Sequence, residues 1–110
     1  SGIATLIVDR DYRKVLAQEG MVVIIVTLDR RGGRLLKNPD IISRGFIYLK
    51  ENQMMLEEIR SRLRALVGRL PRYQPVDGDY LKSLIRDQIG QFLYNKTQRR
   101  PMVLPVVIEI

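Results

Sequence analysis

The chain contains no histidine, no cysteine and no tryptophan in 110 residues. Loss of imidazole and thiolate removes the ordinary zinc donors and leaves only carboxylates, which nowhere cluster at metal-ligand spacing. Asp9 and Asp11 are followed by Tyr12, Arg13 and Lys14, so they read as the start of a short helix, where acids suit the positive end of the dipole. Without His the usual base of a nucleophilic triad is missing. Ser83 adjoins Lys82, but neighbours on a helix point in different directions and do not make a Ser-Lys pair. Arg30-Arg31-Gly32-Gly33 matches a hairpin turn, not a phosphate loop, because paired glycines tolerate positive φ. Catalytic residues, metal ligands and cofactors are therefore expected to be absent from this chain. The lack of Cys excludes a disulfide framework and permits a reducing cytoplasm. The longest apolar run, Met21 to Val26, falls far short of the roughly 20 residues that span a bilayer, so no membrane partner is expected.

What the chain does have is positive charge. Lys and Arg number 19 against 12 acids, a net charge of +7, which draws a domain towards polyanions. Lys96, Arg99 and Arg100 form a compact basic spot between a helix and the final strand. Cations also suit a helix C-terminus for electrostatic reasons alone, so a contact with RNA and a dipole role both stand.

Length bounds the chain to one domain with one modest core. Ile3 to Val8 reads as a short strand and Asp9 to Gln18 as a helical segment closed by Gly20. Met21 to Asp29 is the strongest strand signal, dense in β-branched residues. A second strand is expected near Arg34 to Lys37 and a third over Phe46 to Lys50, after the Asn38-Pro39-Asp40 turn. Glu51 to Leu70 carries Leu56, Ile59, Leu63, Leu66, Val67 and Leu70 at helical spacing, with Asn52 as its cap and Pro71 as its stop. Tyr80 to Thr97 places Leu81, Leu84, Ile85, Ile89, Phe92 and Leu93 on one stripe, capped by Asp77 or Asp79. Met102 to Ile110 is the last strand, and Pro105 within it argues for an edge position or a bulge. The fold class is thus α+β: a small three- to four-stranded mixed or antiparallel sheet against two amphipathic helices, in the order β-β-β-α-α-β.

Two helices cover one face of such a sheet and leave the other to water. Met21, Val23, Ile25, Val103 and Val107 are expected on that second face, an apolar patch of the kind that marks a missing partner. Folding of Ser1 to Gly20 over the patch is the competing reading. Ser43-Arg44-Gly45-Phe46 also has two readings: Arg44 contacting phosphate beside a permissive glycine, or a bulge that aims Phe46 into the core. Phe46 and Tyr48 lack the second aromatic strand that an RNA-stacking sheet needs.

The stretch Pro39-Asp40-Ile41-Ile42-Ser43-Arg44-Gly45-Phe46-Ile47-Tyr48-Leu49, together with Lys96-Thr97-Gln98-Arg99-Arg100-Pro101-Met102-Val103-Leu104-Pro105, closely resembles the C-terminal region of the bacterial ribonuclease J family. That resemblance implies residues 1–20 as a linker or exit segment from a catalytic domain and residues 21–110 as the C-terminal α+β domain. It further implies a cytoplasmic, zinc-dependent parent enzyme with a metallo-β-lactamase fold and an inserted β-CASP domain, acting as a 5′-to-3′ exonuclease and an endonuclease on RNA. The implied partners are catalytic domains of the same protein, further copies in a homo-oligomer, and RNA held weakly or indirectly. None of the family's metal ligands lies in this chain. A free-standing basic RNA-binding module and a pure oligomerisation domain are the other readings of the same residues.

Overall fold

A computed structural model describes residues 19–110. The expected strand over Ile3 to Val8 and helical segment over Asp9 to Gln18 lie outside the described residues. Strand β1 (Met21–Leu28) is central, with β2 (Asp40–Arg44) antiparallel on one side and β3 (Met102–Glu109) parallel on the other. Helices α1 (Gln53–Gly68) and α2 (Gly78–Thr97) lie between β2 and β3 in the chain. The three strands and two helices give the expected α+β class and a mixed sheet.

Each helix starts where a side chain satisfies an otherwise unpaired backbone N–H. Asn52 Oδ1 accepts from Met55 N at 3.0 Å, and Asp77 Oδ1 accepts from Tyr80 N at 3.1 Å. Ile59, Leu63, Leu66 and Val67 of α1 and Leu81, Ile85, Ile89, Phe92 and Leu93 of α2 are buried. They pack with Val22, Ile24, Val26 and Leu28, alternate residues of β1 that share one sheet face. Gly90 sits inside α2, where an added Cβ would meet nothing within 4 Å. Because an interior helical glycine costs about 1 kcal/mol relative to alanine, Gly90→Ala is expected to raise unfolding stability by about 0.5–1 kcal/mol, measured by urea denaturation.

Two elements differ from the sequence expectation. After the turn at Asp29–Arg34, closed by Asp29 N donating to Arg34 O at 2.8 Å, the segment expected as a strand makes only an isolated bridge, Leu28 to Leu35. The ladder resumes where Asp40 stands opposite Ile25. Phe46 to Lys50 is not a strand: Ile47–Leu49 is a 3₁₀ turn. Phe46 and Leu49 are buried while Ile47 is 76% exposed, a spacing of three that suits a tight helical turn and not the alternation of a strand. The strand before it stops at Gly45, whose φ of 67° is left-handed and readily adopted only by glycine.

β3 is an edge strand, as Pro105 implied. Met102 N donates to Gly20 O at 2.9 Å and Ile110 N to Leu28 O at 3.0 Å. The even-numbered residues of β3 therefore address β1, and the odd-numbered ones turn their backbone groups to the open edge. Pro105 is among the latter, so its missing N–H costs the ladder nothing.

Candidate functional site

The sheet face turned away from the helices is apolar along β1 and β3, and β2 adds Ile42 to it between the charged Asp40 and Arg44. The register sets Val23 between Ile42 and Leu104, Ile25 between Asp40 and Val106, and Thr27 beside Ile108. Side chains at paired positions share a face, so Val23, Ile25, Ile42, Leu104, Val106 and Ile108 form one continuous surface. Ile42, Leu104, Val106 and Ile108 are each about two-fifths exposed, between 37% and 44%, and Val23 and Ile25 are half-buried. Met21, between Arg44 and Met102, closes one end of this surface and is itself buried.

Three of the five residues expected on this face, Met21, Val23 and Ile25, are there. Val103 and Val107 are not. They pair with Val22 and Val26 and so point into the helix-covered core, where Val103 is buried and Val107 packs against the core cluster. Leu104, Val106 and Ile108 take their place. Both alternating sets of β3 are apolar, so alternation alone could not say which one faces the helices. The signal that decides it is the pairing register.

The four cations considered as RNA contacts separate into two groups. Lys96 is engaged between the helices: its Nζ lies 3.8 Å from Glu58 and 5.9 Å from the centre of the Phe92 ring, on which Arg62 also stacks at 4.3 Å. The Arg100 guanidinium stacks on Tyr94 at 3.9 Å, and its backbone N–H donates to Glu19. Arg44 and Arg99 form no ion pair with a described residue. Arg44 lines a recess of about 560 Å³ with Ser43, Lys50 and the turn at Gly45, and Arg99 lines one of about 390 Å³ with Glu19 and Tyr48. Both recesses include Gly45, Phe46 and Ile47, so Arg44 and Arg99 flank the same turn.

Among the described residues, no group of three or more Cys, Asp or Glu side chains is placed to hold a metal ion. The donor set among the described residues does not fit zinc. Glu57 is held below the usual glutamate range by its hydrogen bond from Arg64, at 2.8 Å. Among the described residues no helix is long and apolar enough to cross a membrane.

Comparison with known proteins bears out the resemblance carried by the motifs. The family model for the ribonuclease J C-terminal domain matches residues 8–110. Ribonuclease J2 of Bacillus subtilis is 36% identical over 94% of this chain, and ribonuclease J 2 of Staphylococcus epidermidis and of Staphylococcus aureus are each 38% identical over the same share. The alignments cover 19%, 18% and 18% of those relatives, so the chain spans about a fifth of the length of the curated relatives it matches.

Proposed function

Because this chain belongs to the ribonuclease J C-terminal domain family, we propose that it is the non-catalytic C-terminal domain of a cytoplasmic enzyme that degrades and processes RNA, and that it supports assembly of that enzyme. Hydrolysis, by 5′-to-3′ exonuclease and endonuclease action at a zinc centre, belongs on this reading to the catalytic domains of the parent. The observation that carries the assembly role is the continuous apolar sheet face of Val23, Ile25, Ile42, Leu104, Val106 and Ile108. A monomer that left it in water would forgo about 25 cal/mol for each Å² of apolar surface it could bury. The partner is a second copy of the chain, since a flat apolar face is self-complementary across a two-fold axis. The uncommitted Arg44 and Arg99 support a second role, guiding RNA towards a catalytic domain through phosphate contacts that carry no base information.

Sedimentation of the 110-residue chain tests the assembly role. The wild type is expected to self-associate with rising concentration. Val106→Lys, at a partly exposed edge position, is expected to stay folded by circular dichroism and to weaken association at least tenfold, because an unpaired ammonium would be buried in the interface. A wild type that remains monomeric at high concentration, or a lysine variant that associates like the wild type, overturns this role.

A further inference from the structure

The end of the molecule opposite Arg44 and Arg99 is also rich in arginine. It gathers Arg30, Arg31 and Arg34 from the turn after β1, Arg64 and Arg69 from the end of α1, and Arg72 from the connection to α2. Of these six, only Arg64 forms an ion pair with a described residue, Glu57. Arg34, Arg64 and Arg72 line one cleft of about 250 Å³, which also includes the aliphatic side chains of Leu35, Val67 and Leu70. The C-terminal carbonyls of α1 end in this cleft and on their own would attract cations. Two of them are already satisfied: Leu66 O accepts from Arg69 N and Val67 O from Leu70 N.

Tyr73 follows Arg72 directly. It is 80% exposed and has a φ of 62°, a left-handed conformation uncommon for a bulky residue. An exposed ring next in the chain to an arginine of the cleft suits single-stranded nucleic acid: guanidinium groups grip phosphates, and an aromatic face stacks a base. An acidic peptide would use the arginines but not the ring.

We infer that the cleft of Arg34, Arg64 and Arg72, with Tyr73 beside it, is a contact site for single-stranded RNA. This rests on the reading that the domain meets RNA, and it adds a site at the far end from Arg44 and Arg99. Arg34 and Arg72 take phosphates, Arg64 is held in place by Asn38 and Glu57 at 2.9 and 2.8 Å, and Tyr73 stacks one base.

Fluorescence anisotropy with a short labelled oligouridylate, at several salt concentrations, tests the inference on the 110-residue chain. Arg34→Gln/Arg72→Gln is compared with Arg44→Gln/Arg99→Gln, which removes the same charge from the other end. The first pair is expected to reduce the log–log salt slope by about 1.4, from ~0.7 counterions for each of two phosphates, and to weaken binding more than the second pair. Tyr73→Ala is expected to lose about fivefold or more in affinity, while Tyr73→Phe, which keeps the ring, binds as the wild type does. If the Arg44/Arg99 pair weakens binding and the Arg34/Arg72 pair does not, the inferred site falls and the guidance role of Arg44 and Arg99 stands. Equal weakening by both pairs with no effect of Tyr73→Ala shows diffuse attraction by net charge and also overturns the site. Displacement of the RNA by polyglutamate at equal charge concentration overturns the assignment to nucleic acid. If none of the folded variants changes affinity, both RNA roles fail.

Discussion

Ile24→Ala is expected to lower the unfolding free energy by about 3–4 kcal/mol, within the range for truncating a large aliphatic side chain in a packed core. Ile24 is fully buried on the middle strand, flanked by Ile41 of β2 and Pro105 of β3. The positions on either side are fixed by backbone ladders, so the gap left by the truncation closes poorly. A domain of this size has roughly 5–15 kcal/mol in total, and one such change removes a large part of it. Urea denaturation is expected to show a lower midpoint at an unchanged slope. A loss below about 1 kcal/mol would mean that the sheet does not pack on the helices as described.

Gly20→Ala is expected to cost about 3 kcal/mol or more, through backbone and not through the core. Gly20 has a φ of 89°, and a Cβ there would lie 2.5 Å from the carbonyl oxygen of Gly45 and 2.9 Å from that of Arg44. Two backbones meet at this point, so no side chain can rotate away to relieve the contact, and the left-handed φ adds about 1–2 kcal/mol of its own. Gly33 makes the comparison. Its φ is 69°, but its nearest neighbour is the Val76 side chain, at 3.2 Å, which can shift by a few tenths of an ångström. Gly33→Ala is therefore expected to cost about 1–2 kcal/mol, mainly from the left-handed φ. Thermal melts of the two variants side by side check the order, and a Gly20 variant as stable as the Gly33 variant would show that the contact at Gly45 is not tight.

The helices were legible in the sequence because each carries its own period, its own cap and its own stop. Leu63 and Ile89 lie on the expected stripes, and Asn52 and Asp77 cap where local hydrogen bonding favours them. β1 was legible for the same reason: its apolar run is bounded by glycines, and its two sets of alternate residues separate cleanly. What was not legible is how one strand relates to another. β3 presents an apolar residue at nearly every position, so the choice between the Val103 and Leu104 sets rests on a register established by contacts more than 70 positions apart along the chain. The 3₁₀ turn at Ile47 was misread because Phe46 and Tyr48 suggest alternation, whereas the buried pair is Phe46 and Leu49. The arginine cleft was missed for a related reason. Arg34, Arg64 and Arg72 are far apart in sequence, and only the return of α1 to the turn after β1 places them together.

Pro105 also bears on what kind of assembly this domain can form. Strands at the rim of a sheet invite further strands, and a rim that accepts one addition commonly accepts more, which is the route to open-ended fibres. Here the outward backbone of β3 lacks a donor at its centre, so another chain cannot continue the ladder along its full length. Growth along the hydrogen-bonding direction is disfavoured at this edge, while the flat surface of Val23, Ile25 and Val106 stays available. Contact across that surface consumes it on both molecules at once, so association of this kind ends with a finite particle instead of an extending ribbon.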